Sequence, residues 1–425
     1  MLKLATVVLC AALCLPALSW PVLADEAGDV ARKHLYAGTI GEGLSELKPY
    51  YERQDLEGRF GVGLLSFIQG VEHFAQGLYR HGFASPDAGP IMGSPLAMPV
   101  PVNPNPEPLD YDKFRAILQL LVDDMDAARD ALLTAGETGD YVVPIEVLKV
   151  RIDLDGDGKG SDTESIGNVL NAMLGAATVP GPTDPGAPAP TPATPPDSTI
   201  GFDRADAIWL AGYTQILAAQ ADFLLAHDFR ALFDTTFHRL FPRAGLPMQD
   251  YTRSTGTLML DPESDNAIAD ALAAIHHLNW PVTDGDRLKR VLARFKDISA
   301  LSRRNWEAIL AETDDNRELL PSPKQTGITP EARVSEAQVK AWMATLDTAD
   351  LILDGKLLLP HWRFQKGFDL KAYFESAKKT DLVMLITGYD ALPFLKDGPI
   401  ASAESFAEAN AVFGDALIGY AFWFN

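Results

Sequence analysis

The chain is poor in cysteine, and this excludes several kinds of structure and site. Its 425 residues include only two cysteines, Cys10 and Cys14, which both lie in an apolar N-terminal stretch. If that stretch is removed, the remaining chain has no disulfide, no cysteine nucleophile and no thiolate metal site. A chain of this length is instead held together by its apolar core or by a bound metal ion.

Basic residues and familiar catalytic motifs are also scarce. Lys and Arg number 36 against 58 Asp and Glu, so the net charge is −22, and we expect neither nucleic acid nor an anionic membrane as a partner. The sequence has no Gly-rich phosphate loop, no His-Glu-x-x-His and no Gly-x-Ser-x-Gly motif. No motif therefore indicates an enzyme, although hydrolysis by two carboxylates assembled in space stays open.

The N-terminal segment has the pattern of a secretory signal peptide. Lys3 precedes an apolar run from Leu4 to Leu18, and the small residue Ala24 marks a cleavage point, which predicts a signal peptide over residues 1–24. Both cysteines follow a leucine, so we expect no lipoprotein anchor. We predict a periplasmic or secreted protein without stable membrane insertion, because the run is too short to span a bilayer.

One acidic stretch, residues 153–164, has the spacing of metal ligands. It reads Asp-Leu-Asp-Gly-Asp-Gly-Lys-Gly-Ser-Asp-Thr-Glu, with Gly158 placed for a sharp turn. It resembles the twelve-residue calcium loop of an EF-hand at each position that the motif specifies. The resemblance implies that Ca²⁺ is bound by oxygens at positions one, three, five, seven, nine and twelve of the loop. These are Asp153, Asp155, Asp157, Lys159 through its carbonyl, Ser161 and Glu164.

The residues on either side of this stretch predict flanking helices, and one of its glycines predicts a weak affinity for calcium. Residues 144–152 and 165–174 are expected to form an incoming and an outgoing helix, which makes residues 137–177 an EF-hand-like unit. Gly160 stands at loop position eight, where the family has an aliphatic residue that pairs with a second loop. No second loop is found in the chain. We therefore expect weak affinity, on the order of 10⁻⁵–10⁻³ M.

The rest of the chain has mostly helical periodicity, which predicts an all-α, multi-helix bundle. The longest expected helices are residues 56–79, 111–135, 202–226 and 284–312. In the first of these, Gly63, Gly70 and Gly77 recur every seven residues and would lie along one line, where another helix could approach closely. The same helix carries Glu72 and His73, with His81 after it. A buried carboxylate and imidazole can serve as metal ligands or as acid and base, but adjacent positions on a helix point in different directions, so we interpret Glu72 and His73 as a satisfied polar pair of the core.

Two domain organisations fit these patterns. Residues 85–109 and 178–198 are rich in proline, and the second is expected to be a linker. Residues 25–136 and 199–425 form either two separate helical domains or one domain that carries residues 137–198 as an insertion. The second is preferred, because the helices on either side of the insertion are too apolar to stand alone.

Three functions are compatible with the sequence. The first is a secreted calcium-binding helical protein, in which calcium braces the fold. The second is a helical scaffold for an unknown protein or small-molecule partner, with calcium incidental. The third is a carboxylate-dependent hydrolase.

Overall fold

The computed structural model is built mainly from helices, and the prediction of an all-α, multi-helix fold is confirmed. It describes residues 26–84, 100–169, 197–248, 267–327 and 333–414, together with 417, 421, 424 and 425. The α-helices are α1 (Glu26–Ala37), α2 (Ile40–Glu52), α3 (Leu56–Arg80), α4 (Tyr111–Ala135), α5 (Arg204–Leu225), α6 (Arg230–Thr236), α7 (Ala267–His276), α8 (Gly285–Ala311), α9 (Glu336–Leu353), α10 (Leu370–Ser376), α11 (Leu382–Thr387) and α12 (Ala403–Val412).

The strands of the described chain form three short antiparallel pairs. The pairs are β1 (Val143–Glu146) with β2 (Thr199–Phe202), β3 (Asn279–Pro281) with β5 (Lys379–Asp381), and β4 (Gly367–Phe368) with β6 (Leu395–Lys396). Within the described ranges, no helix combines the length and the apolar composition that a membrane crossing requires.

Four long helices form the centre of the fold. Helix α3 packs on α4, α4 on α5, and α5 on α8, while α1 and α2 cover the opposite side of α3. The glycine line of α3 lies at the α3–α4 contact, as the sequence predicts. A β-carbon at Gly63 would lie 2.8 Å from the side chain of Leu132, and one at Gly77 would lie 3.0 Å from that of Ile117. These glycines therefore allow α3 and α4 to approach closely.

A buried ionic network joins α4, α5 and α8. The carboxylate of Asp222 on α5 is fully buried and accepts a hydrogen bond from Nε of Arg294 on α8 at 2.8 Å. The same guanidinium donates to both carboxylate oxygens of Asp126 on α4, at 2.6 and 2.8 Å. A charge removed from water in this way is stable only when it is paired and hydrogen-bonded. The network thus fixes the relative positions of the three helices.

The strand pair β1–β2 closes the base of the segment that contains the acidic stretch. Val143 lies opposite Phe202 and Glu146 opposite Thr199, so residues 147–198 leave and return at one place. Helices α4 and α5 pack against each other beside this pair. The division of the chain into domains stays a prediction. Residues 170–196, which include most of the proline-rich linker, and residues 85–99 lie outside the described ranges.

The incoming helix expected over residues 144–152 is wrong. Residues 143–146 form β1, and a single 3₁₀ turn, Val147–Lys149, follows. Val143 and Ile145 are both 1% exposed while Pro144 between them faces solvent, which is the alternation of a strand. Burial of these two β-branched side chains against the helices outweighs the local helical pattern.

We predict that Asp222→Ala lowers the free energy of unfolding by about 3–5 kcal/mol, because it leaves Arg294 buried with only part of its counter-charge. Urea denaturation followed by circular dichroism measures the change. Asp286→Ala is the matched control, since Asp286 is 91% exposed and pairs with Lys289 at the surface; its effect on the free energy of unfolding should be much smaller. Equal effects of the two substitutions would contradict the structural role of the network.

Candidate metal centre

The backbone of residues 153–158 turns sharply, and its amides point at acidic side chains. Gly156 and Gly158 have positive φ angles of 77° and 98°, which are costly for residues with a β-carbon. Their N–H groups donate to Oδ1 and Oδ2 of Asp153, at 2.7 and 3.0 Å. The N–H of Asp157 donates to Oδ1 of Asp155 at 3.0 Å. The turn therefore holds these carboxylates within the loop.

Three of the four predicted acidic ligands come together. One carboxylate oxygen each from Asp153, Asp155 and Glu164 lies within 4.8 Å of the other two. Asp153 is 7% exposed and Glu164 is 5% exposed, so water screens their charges poorly. Burial raises the pKa of Asp155, and the charges of Glu164, Asp157 and Asp153 raise it further. Three hard oxygen donors at this separation suit a calcium ion.

Hydrogen bonds fix the orientation of Glu164, which closes the loop. Its Oε1 accepts from the N–H of Leu154 at 2.9 Å, and its Oε2 accepts from the N–H and hydroxyl of Ser161 at 2.8 and 2.6 Å. Asp157 is exposed, accepts from the N–H of Lys159 at 3.0 Å, and is not among the three converging carboxylates. The ligand roles of Asp157, Lys159 and Ser161 stay predictions.

A fourth carboxylate, from outside the loop, reaches the same place. Glu72 of α3 is 6% exposed, and its Oε1 accepts a hydrogen bond from the N–H of Asp153 at 2.9 Å. Burial raises the pKa of Glu72 to about 7, and the charges of Asp153 and Glu164 contribute to the rise. One turn further along α3, Nε2 of Gln76 donates to the carbonyl oxygen of Asp153 at 2.9 Å. The acidic stretch is thus fixed to the central helix.

Glu72 and His73, which the sequence predicts to be a satisfied polar pair of the core, have separate partners. Nδ1 of His73 contacts Oδ2 of Asp124 on α4 at 2.8 Å, while Glu72 faces the acidic loop. The feature of the sequence that could have indicated a role for Glu72 is a carboxylate on an otherwise apolar face of a long helix. The sequence did not show that residue 153 would lie opposite it.

The glycine at loop position eight pairs with a different part of the chain. The N–H of Gly160 donates to the carbonyl oxygen of Gly38, in the turn between α1 and α2, at 2.9 Å. Gly38 has a φ angle of 66°, and a β-carbon there would lie 2.6 Å from the backbone of Gly160. The contact with Gly38 therefore occupies the position where the EF-hand family has a second loop, and a side chain on residue 38 would clash with the backbone of residue 160.

Two backbone hydrogen bonds join the two ends of the loop. The N–H of Ile152 donates to the carbonyl of Glu164 at 3.2 Å, and the N–H of Ile166 donates to the carbonyl of Val150 at 2.8 Å. A helix begins at Ile166, and its continuation to residue 174 lies outside the described ranges. The incoming side of the unit is therefore a strand and a 3₁₀ turn, where the EF-hand resemblance implies a helix.

Comparison with models of protein families, with curated proteins and with solved structures finds no match to this chain. The chemistry of the site has to be argued from its own residues.

A second acidic group lies at the N-terminal end of α5. One carboxylate oxygen each from Asp203, Glu312 and Glu318 lies within 4.8 Å of the others. Asp203 caps α5 and accepts from the N–H of Ala205 at 2.7 Å, and the N–H of Asp203 donates to the buried carboxylate of Asp206 at 3.0 Å. Asp203 is about a hundred residues from Glu312 and Glu318 in sequence, and no local pattern connects it to them.

Protons stabilise this second group at neutral pH. Burial raises the pKa of Glu312 to about 8, with the charge of Asp203 and a hydrogen bond to its carboxylate as further causes. Burial also raises the pKa of Glu318 to about 7. Glu312 in its protonated form donates to Asp203, and Nε2 of Gln325 donates to Oε2 of Glu312 at 3.0 Å.

We predict that Gly38→Ala destabilises the protein by about 2–3 kcal/mol, because the substitution combines a left-handed backbone with a clash against Gly160. Gly245→Ala is the matched control: Gly245 has a φ angle of 74°, but no atom of the described residues lies within 4 Å of its β-carbon position. That control should cost only about 1 kcal/mol. Thermal melts of the two variants measure the difference, and equal losses would show that the Gly38–Gly160 contact is loose.

We predict that stability falls as the pH rises from about 5 to 9. Glu312 and Glu318 have raised pKa values of about 8 and about 7, so the folded chain binds more protons than the unfolded chain across that window. Glu312→Gln keeps the hydrogen bonds of the protonated acid and should reduce the fall by roughly 1–3 kcal/mol, after allowance for solvent screening.

Chemical denaturation at pH 5 and at pH 9 measures this change. Glu307→Gln is the control, because Glu307 is an exposed carboxyl of the same region, on α8. It should leave the pH dependence unaltered. A Glu312→Gln protein that loses stability with pH as steeply as the parent would mean that Glu312 is ionised throughout.

Proposed function

We propose that this protein binds one calcium ion at residues 153–164 and that the ion braces the fold. The observation that carries the proposal is the convergence of Asp153, Asp155 and Glu164 around a glycine turn, at the spacing of an EF-hand loop. Carboxylate and carbonyl oxygens are the donors that calcium prefers.

The electrostatics of the site support a cation as its occupant. Four carboxylates, those of Asp153, Asp155, Glu164 and Glu72, lie in one poorly screened region. Burial raises the pKa values of Glu72 and Asp155, and repulsion from the neighbouring carboxylates raises them further. The lysine of the loop, Lys159, is exposed and forms no ion pair within the described chain. A divalent cation would offset this repulsion, and its binding free energy would add to the stability of the folded state.

The contacts of the loop support a structural role for the ion rather than a signalling role. The loop contacts α3 through Glu72 and Gln76, and it contacts the α1–α2 turn through Gly38. A calcium sensor instead needs a pair of helices that opens on binding and exposes an apolar groove. The incoming side here is β1, which is paired with β2 and cannot swing as a free helix.

The proposed location supplies the ion at the concentration that such a site needs. Residues 1–24 predict a secretory signal, and a periplasmic or extracellular protein meets higher calcium than a cytoplasmic one. An affinity in the range of extracellular calcium modules, on the order of 10⁻⁵–10⁻³ M, would suffice there.

We predict that saturating calcium stabilises the folded protein by about 2–3 kcal/mol, as expected when the free ion exceeds its dissociation constant about a hundredfold. Thermal melts with calcium and with a chelator measure the effect. Glu164→Gln should abolish the calcium-dependent shift, because it removes the carboxylate that closes the loop. Asp162→Asn is the matched control, since Asp162 lies in the same loop, pairs with Arg151 and is not one of the predicted ligands.

Two results would contradict the proposal. One is a melting temperature indifferent to calcium, together with no heat of binding at millimolar calcium in titration calorimetry. The other is an equal loss of the calcium effect in the Asp162→Asn protein, which would indicate general screening of acidic charge rather than a specific site.

A second candidate function, a scaffold that binds a small molecule, is favoured by a specific feature. A cavity of about 390 Å³ lies between α3 and α4, on the far side of Gln76 from the acidic loop. Cavities of this size are typical of small-molecule sites, and grooves between helices are a common place for them.

A further inference from the structure

The cavity between α3 and α4 is lined by residues of both helices. Gly77 and Ile117 pack closely in its wall, where a β-carbon on residue 77 would lie 3.0 Å from the Ile117 side chain. Arg80 and Leu120 also line it, and both are exposed. A small molecule could thus enter from solvent and contact both helices.

Two histidines in the wall of this cavity have fixed proton positions. Nδ1 of His73 contacts Oδ2 of Asp124 at 2.8 Å, and Nδ1 of His81 contacts the carbonyl oxygen of Glu107 at 3.1 Å. A carbonyl and an ionised carboxylate only accept hydrogen bonds, so each Nδ1 is the donor. In the neutral imidazole each Nε2 is then an acceptor, and neither Nε2 has a partner among the described residues.

The cavity also carries a cation without an intramolecular partner. Arg80 and Lys113 are the cations of its lining, and Glu107 is the carboxylate. The Arg80 side chain has no hydrogen bond or ion pair within the described part of the chain. Lys113 donates to the carbonyl of Pro108 at 2.8 Å, and its Nζ lies 3.6 Å from Oδ2 of Asp110. An unpaired guanidinium is well suited to bind a carboxylate through two parallel hydrogen bonds.

Apolar side chains complete the lining on the α4 side. Ala116, Ile117 and Leu120 contribute to the wall, and Leu120 is 44% exposed. His73, Gly77 and Arg80 recur at intervals of four and three residues, which places them along one face of α3. The cavity therefore presents a cation, hydrogen-bond acceptors and an aliphatic surface to one molecule.

We propose that this cavity binds a small α-amino or α-hydroxy carboxylic acid with an aliphatic side chain. The carboxylate contacts Arg80 and Lys113, the amino or hydroxyl group donates to Nε2 of His73 or His81, and the aliphatic group contacts Ile117 and Leu120. The inference rests on the scaffold function put forward above and does not require calcium.

The test uses the full-length protein and L-leucine as the probe, with titration calorimetry or ligand-observed NMR as the measurement. Leucinamide lacks the carboxylate and 4-methylpentanoate lacks the amino group, so each should bind at least about fivefold more weakly than leucine. 2-Hydroxy-4-methylpentanoate distinguishes α-hydroxy acids from α-amino acids as ligands, because its hydroxyl group donates a hydrogen bond without carrying a positive charge. Inorganic phosphate should not compete with leucine.

Arg80→Gln should weaken leucine binding about tenfold and remove the preference for leucine over leucinamide. Arg304→Gln is the matched control, since Arg304 is an exposed arginine on α8 that does not line the cavity. It should leave both affinities unchanged.

Ala116→Phe should block the cavity, and because Ala116 is exposed the substitution should not disturb the core. Glu164→Gln should leave leucine binding intact.

The outcomes separate this inference from the function on which it rests. If leucinamide binds as tightly as leucine and Ala116→Phe abolishes both, the cavity binds small molecules but the carboxylate assignment is overturned. If phosphate displaces leucine, the site is a general anion site and the assignment is likewise overturned. If no probe binds at millimolar concentration, both the assignment and the scaffold function at this cavity are overturned.

Discussion

Repulsion between carboxylates that water cannot screen is the constraint on which much of this structure depends. Asp153 and Glu164 are almost fully buried beside Asp155 and Glu72, in a chain whose net charge is −22. Like charges in such surroundings raise each other's pKa values, or they require an opposite charge. Three places in the fold meet that requirement in different ways: the carboxylates of the loop, the second acidic group at the start of α5, and the ionic network around Arg294.

Each of these places offsets negative charge by a different means. Asp222 and Asp126 are matched by the guanidinium of Arg294, which lies between them and joins three helices. Glu312 and Glu318 are matched by protons, since burial raises their pKa values to about 8 and about 7. No arginine or lysine is paired with the converging carboxylates of the loop within the described chain, and we propose that calcium meets the requirement there. This strongly acidic protein therefore stabilises its buried carboxylates by ion pairing, by protonation and, as we propose, by a bound cation.

The long helices could be predicted because their apolar residues recur at helical spacing. Helices α3 and α4 begin and end within a residue of the expected positions, and the glycine line of α3 lies at their contact. The expected helix over residues 144–152 failed because strand pairing with residues 199–202 is a non-local interaction, about fifty residues distant along the chain. Local periodicity contains no information about such a partner.

The sequence by itself determined the acidic loop, since the spacing of Asp153, Asp155, Gly158 and Glu164 is a local pattern that a short turn can realise. Only the tertiary structure decided what surrounds it. Glu72 and Gln76 meet the loop because α3 passes beside it, and Gly160 meets Gly38 because the α1–α2 turn lies against position eight. The second acidic group and the cavity between α3 and α4 were likewise decided by packing. Their residues come from separate segments, and packing sets both their distances and their burial.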